Sequence, residues 1–283
     1  LALAYADDDW KVGVAEIGEY IKEGVVSFPS TEEVNNHVHT VYSFSPYAPT
    51  MAAYMARKAG LLAVGIMDHD SVAGCREMAE AGKRIGIGTT VGFEIRVNFS
   101  GTKFEGKKIN SPDSLNIAYI AIHGIPHQRL DETARFLEPI NEQRNRRNQK
   151  QTRGLNELIE PLGIGTIDFY TDVYPLSRAE EGGSITERHI LFALVKRIIM
   201  QKGKGKPLVR FLESEMALAV PKNIREYLSV SDNPHYEYDL LGVLKSTFLP
   251  KIFIQPDEKE CPNVREVVDF ANKINAIPAY AYL

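Results

Sequence analysis

The sequence is poor in cysteine and tryptophan and contains no long apolar run. Its 283 residues include two cysteines and one tryptophan. Cys75 and Cys261 lie far apart and neither belongs to a Cys-x-x-Cys pair, which argues against a disulfide framework and a thiolate zinc site. No stretch reaches the ~20 apolar residues that a membrane helix requires, and the first residues lack the basic segment of a secretory signal. We therefore expect a cytoplasmic protein without a membrane segment.

An excess of positive charge is also missing, since the formal net charge is -4 at pH 7. Without an overall positive charge on the protein, tight sequence-independent binding to duplex DNA is not expected. A small anion or the end of an oligonucleotide would need only a few local cations. The hydrophobic content of 44% is enough to bury the core of one large domain, or of one domain with an inserted subdomain.

Histidines and carboxylates follow or interrupt several apolar, strand-like segments. His37 and His39 alternate around Val38, and alternate residues of a strand point to the same face. Two such imidazoles can bind one metal ion. The segment Asp68–Asp70 follows a second apolar run, and Glu94 is the lone carboxylate in a third. This pattern predicts a metal site.

The spacing of these residues supports the same interpretation. His39, Asp68, Glu94 and His123 are separated by 29, 26 and 29 residues, and a βα unit occupies roughly 30 residues. In a β/α barrel the active site is assembled at the carboxyl ends of successive strands. We therefore predict that these side chains meet at one edge of a mainly parallel sheet or barrel.

The remaining pattern predicts the domain organisation. We expect an N-terminal helical extension over residues 1–30, the first part of a barrel over 31–129, a mostly helical insertion or cap over 130–250, and an incomplete return to the barrel over 251–283. The predicted elements are helices at 49–59 (capped by Thr50), 71–85, 132–160 (one helix or a pair), 184–201, 206–218 and 263–274, strands at 61–67, 89–99, 117–122 and 277–283, and irregular chain around Pro221, Pro234 and Pro250.

These motifs resemble the PHP (polymerase and histidinol phosphatase) superfamily of metal-dependent phosphoesterases. Asn35-Asn36-His37-Val38-His39-Thr40 is similar to the family's Asp-x-His-x-His-[ST] opening, and Ile66-Met67-Asp68-His69-Asp70-Ser71-Val72-Ala73-Gly74 to its second motif. Gly92-Phe93-Glu94-Ile95 matches the third, and His123 looks like the family's later strand-end histidine. The resemblance spans about residues 35–283.

The resemblance implies an α/β fold, a distorted (β/α)7 TIM-like barrel with a mostly helical inserted cap, whose last strands would be missing from this chain. It also implies two or three divalent metal ions (Zn, Mn or Fe), which would polarise the phosphoryl oxygen of a phosphate ester and activate a water. Asp68, His69 and Glu94 would be the catalytic residues, with Asp68 orienting its neighbours. The implied metal ligands are His37, His39, His69, Glu94 and His123.

The predicted insertion is similar to the branch of the family that degrades nucleotides or short oligonucleotides from an end. There a long arginine-rich helix is followed by Arg-Pro-His-Ile-Ala, which is compared here with Glu187-Arg188-His189-Ile190. His189, with Arg188 or an arginine of the helix such as Arg147, would bind the substrate phosphate. The implied partner is a small phosphorylated substrate, a nucleotide or a short oligonucleotide.

Four departures from the family pattern leave alternatives open. The acidic residue after His-x-His is replaced by Phe44, Glu187 inverts a charge, Tyr282 stands at a late histidine position, and the final Asp-x-His motif has no counterpart. The chain would then be a fragment or would bind fewer metals. A degenerate module that binds a nucleotide or a partner without catalysis is one alternative, and a different metal hydrolase, such as an amidohydrolase, is another.

Overall fold

A computed structural model describes residues 10–22, 29–111 and 114–281 of the chain. These residues form two compact units, which are described separately. The first contains the described parts of residues 1–143, 178–184 and 256–283, and the second contains residues 144–177 and 185–255. The domain boundaries predicted from the sequence stay a prediction. Among the described residues, no helix has the length and apolar composition that crossing a membrane requires.

The first unit is built on a five-stranded mixed sheet with the strand order β1-β2-β3-β4-β5. The first three strands are parallel, whereas β4 runs antiparallel to β3, and β5 antiparallel to β4. The α/β class is therefore confirmed, and the division into seven βα units stays a prediction. The strands are β1 (Val34–Val38), β2 (Ala63–His69), β3 (Gly88–Asn98), β4 (Ile117–His123) and β5 (Ile277–Tyr280).

The direction of β4 corrects the prediction of a mainly parallel series through this strand. A parallel neighbour needs a crossover of a dozen or more residues, usually a helix. The described residues of the connection from Asn98 to Ile117 instead form turns and a bridge between Lys108 and Leu115. Because these described residues contain no helix that carries the chain back across the sheet, β4 returns alongside β3 in the opposite direction.

The helices of the first unit are α1 (Trp10–Lys22), α2 (Pro49–Lys58), α3 (Cys75–Ile85), the first part of α4 (Leu130–Ile159) and α9 (Val264–Lys273). The predicted start of α2 at Pro49 is confirmed, but its predicted cap was wrong, as was the predicted start of α3 at Ser71. The N-cap of α2 is Ala48, and Thr50 lies inside the first turn, where its backbone N–H and hydroxyl donate to Glu77 Oε1 at 2.9 and 2.7 Å. Helix α3 begins four residues after Ser71, whose hydroxyl accepts from Ala73 N at 3.2 Å in a local turn.

The sheet has an apolar face and a polar face. Residues paired across neighbouring strands lie on the same face, and successive residues of a strand alternate between the faces. The pairing of Ile66 with Val91, and of Phe93 with Ile122, therefore defines the apolar face. The core formed here with α2 and α3 includes Val64, Ile66, Met78, Ala81, Phe93, Ile95, Ile120 and Ile122. The alternate positions are left for polar side chains.

The second unit is helical. It contains the later part of α4, which is a single helix and not a pair, together with α5 (Glu187–Lys202), α6 (Lys206–Arg210), α7 (Lys222–Ser229) and α8 (Tyr236–Ile252). The prediction of irregular chain around the three prolines was wrong, because α7 and α8 fill most of this region. Pro221 is the N-cap of α7, Pro234 precedes α8, and Pro250 lies within the last turn of α8. Pro221 and Pro234 are tolerated before their helices because the first N–H groups of a helix have no intrahelical partner.

Candidate metal centre

His37 and His39 converge on Glu94 from the end of β1. The nitrogen and carboxylate ligand atoms of these three residues all lie within 4.8 Å of one another. His37 Nε2 is 3.6 Å from Glu94 Oε1, and His39 Nε2 is 3.9 Å from Glu94 Oε2. The alternation around Val38 places both imidazoles on the polar face of the sheet, because Val38 pairs with Ile66 on the apolar face. The sequence pattern thus brings these residues together as predicted.

Glu94 lies in the middle of β3 and not at its carboxyl end. It is level with the end of β2 because the parallel register pairs it with His69. The carboxyl is largely buried, and this burial raises its pKa above the ordinary value, while the neighbouring His37 and His39 oppose the shift. A buried carboxylate favours a compensating positive charge. The site therefore suits a cation.

His69 is the third imidazole of the cluster. Its Nδ1 lies 3.0 Å from Glu94 Oε2, and its ring stacks on that of His39 with centroids 4.5 Å apart. Three imidazoles thus surround one carboxylate on the polar face. Histidine and carboxylate donors suit zinc, manganese and iron. The roles of these residues as metal ligands stay a prediction that this geometry allows.

Asp68 is buried beside the cluster but faces away from it. Its register partner is Phe93, on the apolar face of the sheet. It accepts hydrogen bonds of 2.6 Å from Thr40 N, from Thr40 Oγ1 and from Ser43 Oγ. Burial raises the pKa of Asp68 to about 6, against the lowering effect of these hydrogen bonds. Asp68 therefore anchors the loop that follows His39, and its role in orienting metal ligands stays a prediction.

Ser43 connects Asp68 to the imidazoles. Besides donating to Asp68, its Oγ lies 3.4 Å from His39 Nδ1. The next residue, Phe44, has a φ of 76° in the left-handed region. The loop thus turns sharply just after the serine that contacts His39. Tyr282, the other replacement noted in the sequence, lies outside the described residues.

His123 occupies the polar face at the end of β4. Glu94 pairs with Ala121, and His123, two residues further along β4, therefore shares the face of Glu94. It pairs with Gly92 and is half-buried, and burial lowers its pKa. Because β4 is antiparallel, the 29-residue spacing to His123 does not represent a βα unit, and that part of the rhythm argument was wrong. A role for His123 as a further ligand stays a prediction.

The residues predicted to bind phosphate belong to the second unit, and two of them have structural partners there. His189 is buried and its Nδ1 accepts from Thr186 N at 3.0 Å, which caps the start of α5. Burial lowers the pKa of His189 to about 4, so the ring is neutral at pH 7. Arg147 forms a 2.7 Å ion pair with Glu187 and donates to the Ile254 carbonyl at 3.2 Å.

Arg188, by contrast, is exposed on α5. Phosphate binding by Arg188, Arg147 and His189 stays a prediction. The sequence analysis missed the capping role of His189, because the usual partner in a capping box is glutamate or glutamine. The Thr186-x-x-His189 spacing was the available signal.

A second feature that sequence reasoning missed is a strap formed by residues 178–184. Within the first unit, the Gly182 carbonyl accepts from Ser71 Oγ at 2.7 Å, and Ser184 N donates to the Tyr42 carbonyl at 2.8 Å. The Tyr42 hydroxyl donates to Glu181 Oε2 at 3.4 Å. The strap therefore binds both the loop that follows His39 and the loop that follows His69. The pair Gly182-Gly183 was its only sequence signal.

A buried ion pair is the third such feature. Arg96, two residues after Glu94 and on the same face of β3, donates to the carboxylate of Glu260, and both side chains are almost fully buried. Neither residue stood out in the sequence, because the pair joins positions that are 164 residues apart. It ties the segment before α9 to the strand that carries Glu94.

Part of the chain is similar in sequence to a curated nuclease. No family model matches the chain. A segment of 186 residues, 64% of the chain, is 24% identical to the 5'-3' exoribonuclease of Haemophilus influenzae and covers 57% of that protein. The chain thus spans little more than half the length of this curated relative.

Two solved structures are similar to the chain. A candidate metal-dependent phosphoesterase from Bifidobacterium adolescentis matches 88% of this chain and 66% of its own, with a TM-score of 0.54 and 19% identity. An amidohydrolase from Chromobacterium violaceum matches 60% of this chain and 54% of its own, with a TM-score of 0.44 and 21% identity. At such identities the first match establishes a likeness of fold, compatible with a distorted TIM-like barrel. The likeness of fold agrees with the resemblance to metal-dependent phosphoesterases that the motifs predict.

Proposed function

We propose that this protein is a metal-dependent hydrolase of phosphate esters. The observation that carries the proposal is the convergence of His37, His39 and Glu94, whose ligand atoms lie within 4.8 Å of one another. His69 adds a third imidazole 3.0 Å from the same carboxylate. A cluster of this kind on the polar face of an α/β sheet is suited to hydrolytic metal chemistry.

The residues present fit two or more divalent ions. His37, His39 and Glu94 would hold one ion, His69 would serve a second with Glu94 shared between them, and His123 is available on the same face. Divalent metals supply Lewis acidity toward a phosphoryl oxygen and lower the pKa of water toward neutrality. Asp68 would act through Thr40 and Ser43 to keep His39 in place.

Glu94 is the residue that lies next to all three imidazoles of the cluster. Its carboxylate has two oxygens, and the structure directs Oε1 toward His37 and Oε2 toward His39 and His69. Burial makes its charged form unfavourable unless positive charge is nearby. We therefore assign Glu94 the central metal-binding role, and Asp68 a positioning role because it faces away from the cluster.

The substrate class that we propose is a nucleotide or a short oligonucleotide. The relative from Haemophilus influenzae, a 5'-3' exoribonuclease, supports this class, and the resemblance of the predicted insertion to end-degrading enzymes points the same way. The net charge of -4 argues against duplex DNA, because phosphate contacts dominate non-specific duplex binding. We place the protein in the cytoplasm as part of the same proposal.

Elemental analysis tests the proposal first. Zn, Mn and Fe would be measured per chain in the wild type, His39→Ala and Glu94→Ala, with His235→Ala, an exposed histidine of the second unit, as the matched control. We expect two or more metals in the wild type and in the control, and fewer in both cluster variants. Hydrolysis of phosphomonoesters, 3',5'-bisphosphates and short oligonucleotides would then be measured on the same samples.

The binding module without catalysis is retained as a second function because of Phe44. Phe44 is a bulky apolar residue with a left-handed backbone conformation, and it stands where the family motif has an acidic residue. It directly follows Ser43, whose hydroxyl contacts His39. A wild-type protein with metal near zero, and with no hydrolysis after metal is added, would favour this module over the hydrolase. Release of an amide product without phosphoester hydrolysis would favour an amidohydrolase.

A further inference from the structure

Helix α4 presents two different basic faces in the second unit. Arg144 and Arg147 are buried, whereas Arg146, Lys150 and Arg153 are exposed. The three exposed cations follow the spacing i, i+4 and i+7, which aligns side chains along one side of a helix. At ~1.5 Å per residue the row extends for about 10 Å. The arginine-rich stretch therefore contains a solvent-facing cationic row that is distinct from the buried ion pair of Arg147.

An exposed aromatic ring lies beside this row. Gln149 is three residues after Arg146 and four before Arg153, and its Nε2 donates to the Tyr170 hydroxyl at 3.1 Å. Although its hydroxyl is held in this way, Tyr170 remains 61% exposed. Its ring is supported by Tyr174, with centroids 6.3 Å apart, and by the buried Phe169, at 5.3 Å. The ring is thus fixed in orientation and open to solvent.

The acidic residues nearest Tyr170 in sequence are directed to other partners. Asp168 Oδ1 accepts from Tyr170 N and Thr171 N at 2.9 Å. Asp172 forms a 3.0 Å ion pair with Arg197. Within the part of the chain that the structure describes, neither Lys150 nor Arg153 has an ion pair. These two cations of the row are therefore available to an anionic ligand.

We propose that the Tyr170 face, defined as Arg146, Gln149, Lys150, Arg153 and Tyr170, binds single-stranded nucleic acid. A base would stack on the Tyr170 ring, and backbone phosphates would contact Lys150 and Arg153 of the cationic row. Stacking on an aromatic ring combined with a basic track is the general physical basis of single-strand binding. A duplex fits less well, because its bases are already stacked and their faces are covered. The biological use of this face rests on the proposed function and specifies its substrate as a strand longer than one nucleotide.

Fluorescence anisotropy with a labelled single strand of about 12 nucleotides, within the ~4–16 range of single-strand sites, tests the proposal. The protein would carry Glu94→Gln, and EDTA would be present, so that no strand is cleaved. We expect Tyr170→Ala to weaken binding about five- to tenfold, at the lower end of the values for base stacking. Tyr170→Phe, which keeps the ring, should bind nearly as well as the parent. Tyr227→Ala removes another exposed ring of the second unit and serves as the matched control.

The cationic row is tested by salt dependence. Combining Lys150→Ala with Arg153→Ala should reduce the slope of log K against log salt by roughly 1.4, at about 0.7 for each phosphate contact on a single strand. Lys206→Ala combined with Lys222→Ala removes the same charge from exposed sites elsewhere in the unit and should leave the slope nearly unchanged. Circular dichroism would confirm that each variant is folded.

Three results would overturn the proposal. They are equal affinity for single strands and duplexes, unchanged binding by Tyr170→Ala, and equal effects of the two double variants. Because binding is measured without metal and without cleavage, these results are independent of the metal content and hydrolysis that test the proposed function. Strand binding by a protein without metal would support this face while rejecting the hydrolase.

Discussion

His69 and Glu94 occupy paired positions on adjacent parallel strands, with His69 Nδ1 3.0 Å from Glu94 Oε2. The pairing is possible because β2 ends level with the middle of β3, so that the longer strand provides a carboxylate beside the end of the shorter one. His39 stacks on His69 from the other side. The site is therefore anchored to the backbone register of the sheet and is not carried by loops alone.

The first prediction concerns Glu94→Gln, which keeps the size of the side chain but removes its charge. Metal at about 100 times its Kd stabilises a folded protein by ~2.7 kcal/mol, which corresponds to a rise of several degrees in melting temperature. We expect added Mn or Zn to raise the melting temperature of the wild type in this way and to have little effect on Glu94→Gln. Differential scanning fluorimetry measures both.

Glu258→Gln is the control for Glu94→Gln, because it removes one exposed carboxylate from the same unit. It should respond to metal like the wild type. An equal metal-induced shift in Glu94→Gln and in the wild type would contradict a metal site at Glu94.

Asp68→Asn tests the positioning role. Asp68 accepts three hydrogen bonds of 2.6 Å from Thr40 and Ser43. The amide of asparagine has only one accepting oxygen, so at least one donor would meet an N–H group. Leaving a buried donor unsatisfied costs about 1–3 kcal/mol. We expect a fall of this size in the free energy of unfolding, measured by urea denaturation, together with weaker metal binding.

Asp269→Asn, at an exposed carboxylate of the same unit, is the control and should unfold at the same urea concentration as the wild type. A fall in stability with unchanged metal affinity would show that Asp68 supports the fold but does not position His39.

The cluster of His37, His39 and Glu94 could be predicted largely because its signals are local. The alternation of His37 and His39 requires only strand geometry, and Glu94 was conspicuous as a carboxylate among apolar residues. The direction of β4 could not be predicted, because the polar connection before Ile117 is compatible with either a crossover or a hairpin. Its turns decide the outcome, and turn geometry is weakly encoded by composition.

The roles of the second unit's residues were harder to predict for a related reason. The sequence alone does not distinguish a buried arginine from an exposed one. Only the packing of the folded protein shows that Arg147 is buried and Arg146 is exposed. The partner of Arg147 is Glu187, forty positions away in the sequence. Helical periodicity gives the face on which a residue lies, but it does not say which face another helix covers.

The next prediction is a pH dependence that comes from His189. Burial lowers the pKa of its imidazole from 6.5 to about 4 in the folded state. As the pH falls from 6.5 toward 4, His189 becomes protonated in the unfolded chain but stays neutral in the folded protein. The free energy of unfolding therefore decreases over this window. The contribution is fully present above pH 6.5 and amounts to roughly 3 kcal/mol, since one pKa unit equals ~1.4 kcal/mol.

His189→Gln should reduce this pH dependence, because glutamine has a neutral acceptor for Thr186 N but cannot titrate. Urea unfolding at several values between pH 4 and 7 measures the slope, and His235→Ala, at an exposed histidine, is the control. A variant with the same slope as the wild type would contradict the prediction.

The last prediction concerns the strap formed by residues 178–184. A Cβ atom added at Gly183 would lie 2.9 Å from the Arg178 carbonyl oxygen and 3.0 Å from the Tyr42 carbonyl oxygen, closer than backbone atoms tolerate. Gly183→Ala should therefore push the strap away and weaken the hydrogen bond from Ser184 N to Tyr42 O. Tyr42 directly precedes Ser43, which contacts both Asp68 and His39, so the displacement reaches the loop that supports the proposed metal ligand His39. Supporting residues of this kind alter metal affinity by about 10–100-fold, and we expect roughly the lower value in a competition titration with a chromogenic chelator.

Gly154→Ala is the matched control, because a Cβ there meets no atom within 4 Å and alanine is favoured over glycine inside a helix. Equal metal affinity in the two variants would mean that the strap stabilises the fold without positioning the metal ligands.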